Sequence, residues 1–155
     1  MASSDRATLE HIRELIATPS VSSVSPEWDT PNTAVISKLA NRLAASGWSV
    51  EILDGPGKPG KQNLIATLGR DSGEGSGLVL SGHTDTVPYD GQRSTHGPFD
   101  LTEPDTRLYG LGTVDRKGSV ALALQAASAF AGSTLRGAQL LPAAAEACSS
   151  LNGRA

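Results

Sequence analysis

The chain of 155 residues lacks the features that mark several classes of protein. It has one cysteine, Cys148, so no intrachain disulfide can form, and a cytoplasmic location is the simplest interpretation. Aromatic residues make up only 4% of the sequence, which means that the core must be aliphatic. Basic residues are outnumbered by acidic ones, with a net charge of −3, and nothing indicates the clustered basic face of a nucleic-acid-binding protein.

Long apolar segments are also missing. No apolar run approaches the ~20 residues that a membrane-spanning helix requires, so we expect no membrane association. The start of the chain, MASSDRATLEHIREL, carries charges where a signal peptide has apolar residues. Hydrophobic residues at 38% and charged residues at 19% are typical of a globular protein.

The spacing of apolar residues predicts helices that alternate with strands. Helices are predicted near residues 4–18, 35–46 and 117–132, and strands at 48–53, 63–68, 77–83 and within 135–142. Residues 108–115 are predicted as a short extended segment, and 20–31 and 89–107 as loops. Such alternation predicts an α/β fold with helices that cover a sheet.

Residues Gly55 to Lys61, GPGKPGK, match the first part of a phosphate-binding loop. The match fails at the next position, because Gln62 stands where such a loop has Ser or Thr. Pro56 and Pro59 also lack the amide hydrogens that would bind phosphate. We therefore predict an exposed turn between two strands and no nucleotide binding.

The segment LVLSGHTDTVP, residues 78–88, delivers a histidine and a carboxylate from the end of a strand. Side chains two residues apart in an extended chain point to the same side, so His83 and Asp85 are expected to share one space. A carboxylate that holds one imidazole nitrogen prepares the other nitrogen for a metal. An ordinary hydrogen-bonded pair at a strand end is the alternative.

A second carboxylate, Asp115, lies in GLGTVDRKG, where the predicted extended segment meets the third helix. It is either the N-cap of that helix or part of a site with His83 and Asp85. We predict that the three side chains converge at the carboxyl ends of neighbouring strands, where sites in α/β sheets assemble. One histidine and two acids suit a zinc-type ion.

Together, SGHTDTVP, GPFDLTE and LYGLGTVDRKG resemble the zinc-dependent aminoacylase and carboxypeptidase family, in which a strand-end H-x-D is followed some thirty residues later by G-x-x-D-x-K-G. The N-terminal ELIATPSVSS, PNTAVISKLANRL and KQNLIATLG are similar to the same family. The resemblance runs from about residue 8 to 135, and 136–155 form a divergent tail. It implies a three-layer helix-sheet-helix catalytic domain of the zinc-exopeptidase-like fold. Residues 1–155 would be the N-terminal portion, without the smaller dimerisation domain.

The resemblance implies a role for each motif residue. His83 would bind one metal ion, Asp115 would bridge two, and Asp85 would orient His83. The ions would be zinc or cobalt, and the peptide bond between Asp115 and Arg116 would be cis. Arg116 departs from the Met or Thr usual there, so we expect it to point outward, although it could disturb the bridge.

The reaction implied is hydrolysis of an amide in a small N-acyl amino acid, most similar to the deacetylating branch of the family. Glu146 matches the family's general base, but Ala147 stands where a further ligand is expected, and Glu146 could equally be an exposed acid in the tail. Full-length members are often homodimers. Three alternatives stay open: another activity of the family, such as a desuccinylase or a carboxypeptidase, a truncated and inactive remnant, or a metal-free binding module.

Overall fold

The computed structural model describes residues 3–69, 78–92, 95–129 and 138–143 of the chain. Three α-helices and four β-strands make up this part. In chain order they are α1 (Ser3–Ile16), α2 (Thr33–Ala45), β1 (Ser49–Asp54), β2 (Gln62–Leu68), β3 (Leu78–His83), α3 (Lys117–Ala129) and β4 (Ala138–Ala143), with a short 3-10 turn at Pro104–Thr106. The predicted helices and strands are therefore confirmed in kind and in approximate position.

The four strands form one mixed sheet in the order β1-β2-β4-β3. β2 lies antiparallel to both β1 and β4, whereas β3 and β4 are parallel, with His83 opposite Ala143. β4 follows α3 in the chain and lies between two earlier strands, so β3, α3 and β4 form a strand-helix-strand crossover. This crossover places the start of α3 near the carboxyl end of β3.

One core lies between the sheet and the helices, and it is aliphatic except for Trp48, which is buried just before β1. Leu64, Ala66 and Leu68 alternate along β2 toward this core, as expected of a strand with one buried face. α2 packs on β1 and β2, α3 packs on β3, and α1 packs against α3. The helices contribute most of the other buried apolar residues of the cluster: Ile12, Leu15, Ile16, Val35, Ile36, Leu39, Ala40, Leu43, Val120, Ala121, Leu124 and Ala127.

The other face of the sheet is more accessible in the part of the chain that the structure describes. Leu53 and Val79 point to this face, and they are 40% and 52% exposed. All three described helices contribute to the single core on the opposite face. The α/β class is confirmed, and the described residues supply the sheet and one helical layer of the predicted three.

The prediction of an extended segment at residues 108–115 is wrong. Only Tyr109 pairs, in an isolated antiparallel bridge with Thr102, and residues 111–116 form consecutive turns that lead into α3. Gly112, with φ of +89°, supplies a backbone conformation that a strand does not use.

None of the helices in the described part of the chain has the length and apolar character of a membrane-spanning helix.

Candidate metal centre

His83 and Asp85 form the pair that their spacing predicted. His83 is the last residue of β3, and its Nδ1 lies 3.0 Å from Oδ1 of Asp85 and 3.2 Å from the Asp85 carbonyl oxygen. The Asp85 side chain is only 10% exposed and that of His83 24%. With its proton on Nδ1, the imidazole donates to Asp85 and turns the lone pair of Nε2 away from the pair.

The loop that precedes α2 fixes the segment between His83 and Thr86. Val21 and Thr86 form a parallel bridge, in which the Ser22 amide donates to the Thr86 carbonyl at 2.8 Å and the Thr86 amide to the Ser20 carbonyl at 3.0 Å. The Ser20 hydroxyl also donates to the Thr84 carbonyl, at 2.5 Å. This support was missed from the sequence, where residues 20–31 read only as a polar loop.

Asp115 reaches the same place from the turn before α3, not from a strand end. Its Oδ1 lies 3.4 Å from Nε2 of His83. α3 begins at Lys117, and Asp115 contacts His83 and Arg116. The predicted convergence of His83, Asp85 and Asp115 is confirmed, while the prediction that Asp115 ends a strand is wrong.

Two glycines permit the tight turn that carries Asp115. A β-carbon at Gly112 would lie 2.9 Å from Cγ2 of Thr86, and one at Gly118 would lie 2.1 Å from the Thr113 carbonyl oxygen. The Gly118 amide donates to the Gly112 carbonyl at 3.2 Å, which closes the turn. The sequence signal for both was the glycine spacing of the motif, which did not reveal how closely the backbones approach.

His83 and Asp115 are spaced to share one metal ion. A tetrahedral zinc ion with ligands at about 2.0–2.1 Å holds two of them about 3.3 Å apart, and Nε2 and Oδ1 are 3.4 Å apart. Asp85 on the other imidazole nitrogen is the usual support for such a histidine. Among the described residues, no group of three or more His, Cys, Asp or Glu side chains is placed to hold a metal ion.

Lys117 lies beneath this site, with no exposed surface. Its Nζ donates to the Thr18 carbonyl at 2.6 Å, which ties the start of α3 to the segment that follows α1. Burial lowers the pKa of the Lys117 amine to about 8, and the charge of Asp85 opposes that shift. The motif lysine is therefore a buried structural group in this arrangement, which the sequence did not indicate.

Arg116 stands between Asp115 and Lys117. Its side chain is 53% exposed, so the expectation that it points outward is confirmed. Its Nε nevertheless lies 3.5 Å from the same Asp115 oxygen that faces His83. The peptide bond between Asp115 and Arg116 is cis, as the resemblance implied.

An open cleft of about 470 Å³ gives access to the centre. Its wall includes His83, Asp85 and Asp115 together with the glycine-containing turn at residues 110–114. The Asp115 side chain is 74% exposed, so one side of the centre is accessible to solvent. A small molecule can therefore reach both Nε2 of His83 and the Asp115 carboxylate.

The segment that resembles a phosphate loop is a turn whose final lysine points into the protein. Residues 56–60 form an exposed turn, as predicted, but Lys61 is buried, which the prediction missed. Its Nζ donates to the Thr30 carbonyl at 2.7 Å and the Val21 carbonyl at 3.1 Å, and it lies 2.8 Å from Oδ1 of Asp29. These contacts occupy the amine and hold the loop that supports Thr86.

The predicted general base, Glu146, lies outside the described residues, as does Cys148. Its role stays a prediction from the sequence. The described part of the centre therefore consists of His83, Asp85 and Asp115.

The family resemblance is confirmed by comparison with known proteins. Residues 79–152 match the model of the peptidase family M20/M25/M40. The chain is 51% identical over 118 residues to acetylornithine deacetylase of Proteus mirabilis, and the aligned segment covers 76% of this chain and 30% of that protein. It is also 51% identical over 120 residues to acetylornithine deacetylase of Yersinia pestis, 76% of this chain and 31% of that protein.

Solved structures agree on the fold. Human carnosine dipeptidase 1 matches with a TM-score of 0.75 and 27% identity, over 90% of this chain and 32% of that one. The M20 family metallo-carboxypeptidase Sso-CP2 from Sulfolobus solfataricus matches with a TM-score of 0.71 and 20% identity, over 92% of this chain and 31% of that one. The chain thus spans about a third of the length of the relatives that it matches.

Proposed function

Because this chain is a relative of the peptidase family M20/M25/M40, we propose that it is the amino-terminal part of a metal-dependent amidohydrolase that converts acetylornithine to ornithine and acetate. The observation that carries the chemistry is the approach of His83 Nε2 to Asp115 Oδ1 at 3.4 Å, with Asp85 on the other imidazole nitrogen. The choice of substrate is supported by the identity of about half of the aligned residues to acetylornithine deacetylases.

In this proposal, His83 and Asp115 hold the metal. Zinc or cobalt fits a donor set of imidazole and carboxylate, and Asp115 would bridge two such ions, as the family resemblance implies. When bound, such an ion lowers the pKa of water toward ~7 and polarises an amide carbonyl. Further ligands would come from parts of the whole enzyme outside the described residues.

In this proposal, the residues of this chain orient a metal ligand and form one wall of the substrate cleft, and they do not catalyse the reaction alone. Asp85 accepts a hydrogen bond from the Nδ1–H of His83, which favours the tautomer with its lone pair on Nε2 and holds the ring in one orientation. The cleft beside His83 and Asp115 admits the acylated amine. Glu146 would accept the proton of the attacking water and pass it to the leaving amine, a role proposed from the sequence alone.

The activity proposed is that of the whole enzyme, to which this chain contributes one side of the site. Residues 8–135 would be the family-like part of the catalytic domain and 136–155 the divergent tail. A place in arginine biosynthesis, a cytoplasmic location and homodimers of the full-length enzyme are parts of the same proposal.

A chimera tests this function directly. The amino-terminal segment of the Proteus mirabilis acetylornithine deacetylase that aligns with this chain is replaced by the corresponding residues of this chain. The purified chimera, loaded with zinc or cobalt, is assayed for acetate release from acetylornithine. We expect turnover within about tenfold of the parent, near the ~10 s⁻¹ of an ordinary enzyme.

Two control chimeras separate chemistry from folding. His83→Ala in the chimera should lower turnover at least about a hundredfold, because it removes a metal ligand. Gly91→Ala should leave turnover unchanged, since nothing lies within 4 Å of the added β-carbon. A folded, metal-loaded chimera that cleaves succinyl-diaminopimelate or a dipeptide but not acetylornithine would contradict the substrate, and one that needs no His83 would contradict the site.

A further inference from the structure

The carboxylate oxygen of Asp115 that faces His83 also faces a guanidinium. Oδ1 lies 3.4 Å from Nε2 of His83 and 3.5 Å from Nε of Arg116. In the proposed function this oxygen is a metal ligand. A metal ion bound by this oxygen and the Arg116 guanidinium would therefore compete for one atom.

The backbone that directly follows Arg116 is held in place. Lys117 is fully buried with its amine on the Thr18 carbonyl, and Gly118 donates its amide to the Gly112 carbonyl. The Arg116 side chain, 53% exposed, must therefore leave the turn on its open side, next to Asp115. Its place beside the carboxylate follows from the fold of the turn.

The geometry points to Arg116 as a built-in competitor of the metal at Asp115, an inference that rests on the proposed function. A guanidinium stays charged at every pH at which the protein is folded, so it cannot lose its charge when a cation arrives. A divalent ion must share Asp115 with Arg116 or displace it, and repulsion acts in both cases. Metal affinity is therefore lower than His83 and Asp115 alone would give, and it depends on salt.

The size of the effect follows from Coulomb's law. A unit charge roughly 5 Å from a divalent ion in water weakens binding by about tenfold. Because both Asp115 and Arg116 are exposed, salt screens this repulsion, and the effect should shrink as ionic strength rises. A neutral side chain at position 116 removes the competition.

The test compares zinc binding to the 155-residue chain and to its Arg116→Met variant by titration calorimetry, with cobalt absorption spectra as a second readout. We expect Arg116→Met to bind about tenfold more tightly at low salt, with a smaller gap at 0.3 M salt. Arg116→Thr is a second neutral variant and should behave alike. Arg116→Lys keeps the charge and should stay near the unaltered chain, as should Arg6→Met, a matched control on α1.

Equal or weaker zinc binding by both neutral variants would overturn the inference while leaving the metal site in place. Zinc binding that survives His83→Ala, or no zinc binding by any of the proteins, would overturn the proposed metal site and the inference with it. Tighter binding by the neutral variants that is lost on adding His83→Ala supports both. The readout is affinity, so it does not require the activity of the whole enzyme.

Discussion

Gly118, the second residue of α3, leaves no room for a side chain. A β-carbon there would lie 2.1 Å from the Thr113 carbonyl oxygen and 3.2 Å from its carbon, whereas real β-carbons essentially never approach another atom within 3.0 Å. The atom in the way is backbone, so no side-chain rotation can relieve the contact. Gly118→Ala must therefore push the turn that carries Asp115 away from α3.

The expected loss is the difference between two opposing effects. In an unobstructed helix, Ala in place of Gly would stabilise the protein by about 0.5–1 kcal/mol. Here the two backbones must separate by about 1 Å, and such overpacking costs about 1–3 kcal/mol or more. Because a backbone contact yields less easily than a side chain, we expect a net loss of about 2 kcal/mol.

Thermal and urea unfolding, followed by far-ultraviolet circular dichroism, measure this loss. For a domain of this size a change of 2 kcal/mol lowers Tm by about 4–8 °C. The matched control is Gly91→Ala, where nothing lies within 4 Å, and it should stay within about 0.5 kcal/mol of the unaltered chain. Gly118→Ala should also weaken zinc binding, because Asp115 moves.

The reasoning is refuted if Gly118→Ala is as stable as Gly91→Ala. Loss of stability with unchanged zinc affinity would show that the turn relaxes without moving Asp115. In that case Gly118 would matter for folding and not for the geometry of the centre.

Four further outcomes are expected. His83→Ala abolishes zinc binding by the 155-residue chain, whereas His96→Ala does not, because His96 lines a separate cleft with Tyr89 and Tyr109. Equal loss in both variants would argue against a centre at His83. The stability of the unaltered chain relative to Lys117→Met rises by up to about 3 kcal/mol from pH 8 to 10.5. The pKa of Lys117 in the folded chain is about 8, below the ordinary 10.5, so the unfolded chain binds more protons than the folded one in that window and stability rises with pH. Parallel curves of stability against pH for the two proteins would contradict this. Lys61→Met lowers the free energy of unfolding by about 3 kcal/mol, because two carbonyls and the Asp29 carboxylate lose their buried partner. The unaltered chain binds no ATP, and ATP binding that requires Lys61 would contradict the structure. The 155-residue chain by itself hydrolyses acetylornithine at less than about 1% of an ordinary ~10 s⁻¹, since no group of three or more candidate metal ligands is placed to hold an ion in its described part. Turnover near that rate, lost with His83→Ala, would show that the site is completed in another way.

The comparison between sequence and structure is clearest at the two lysines. Lys61 was judged by a motif and placed in an exposed turn, yet its amine is enclosed by carbonyls from residues thirty or more positions earlier. Lys117 matched a motif, yet its burial against Thr18 could not be predicted. Lysine is rarely buried, so the residue type by itself favours an exposed side chain, which is the wrong expectation at both positions.

What the sequence determined by itself is the three helices, the four strands and the pair at the end of β3, but not the turn at residues 111–116. The periods of 2 and 3.6 residues are local properties of the backbone, so they predicted the strands, the helices and the shared direction of His83 and Asp85. Only the tertiary structure decided that β4 lies between β2 and β3, that Asp115 reaches His83 from a turn, and that Arg116 faces the same oxygen. These depend on which backbones can approach across the fold, as at Gly112 and Gly118, and no local pattern encodes that distance.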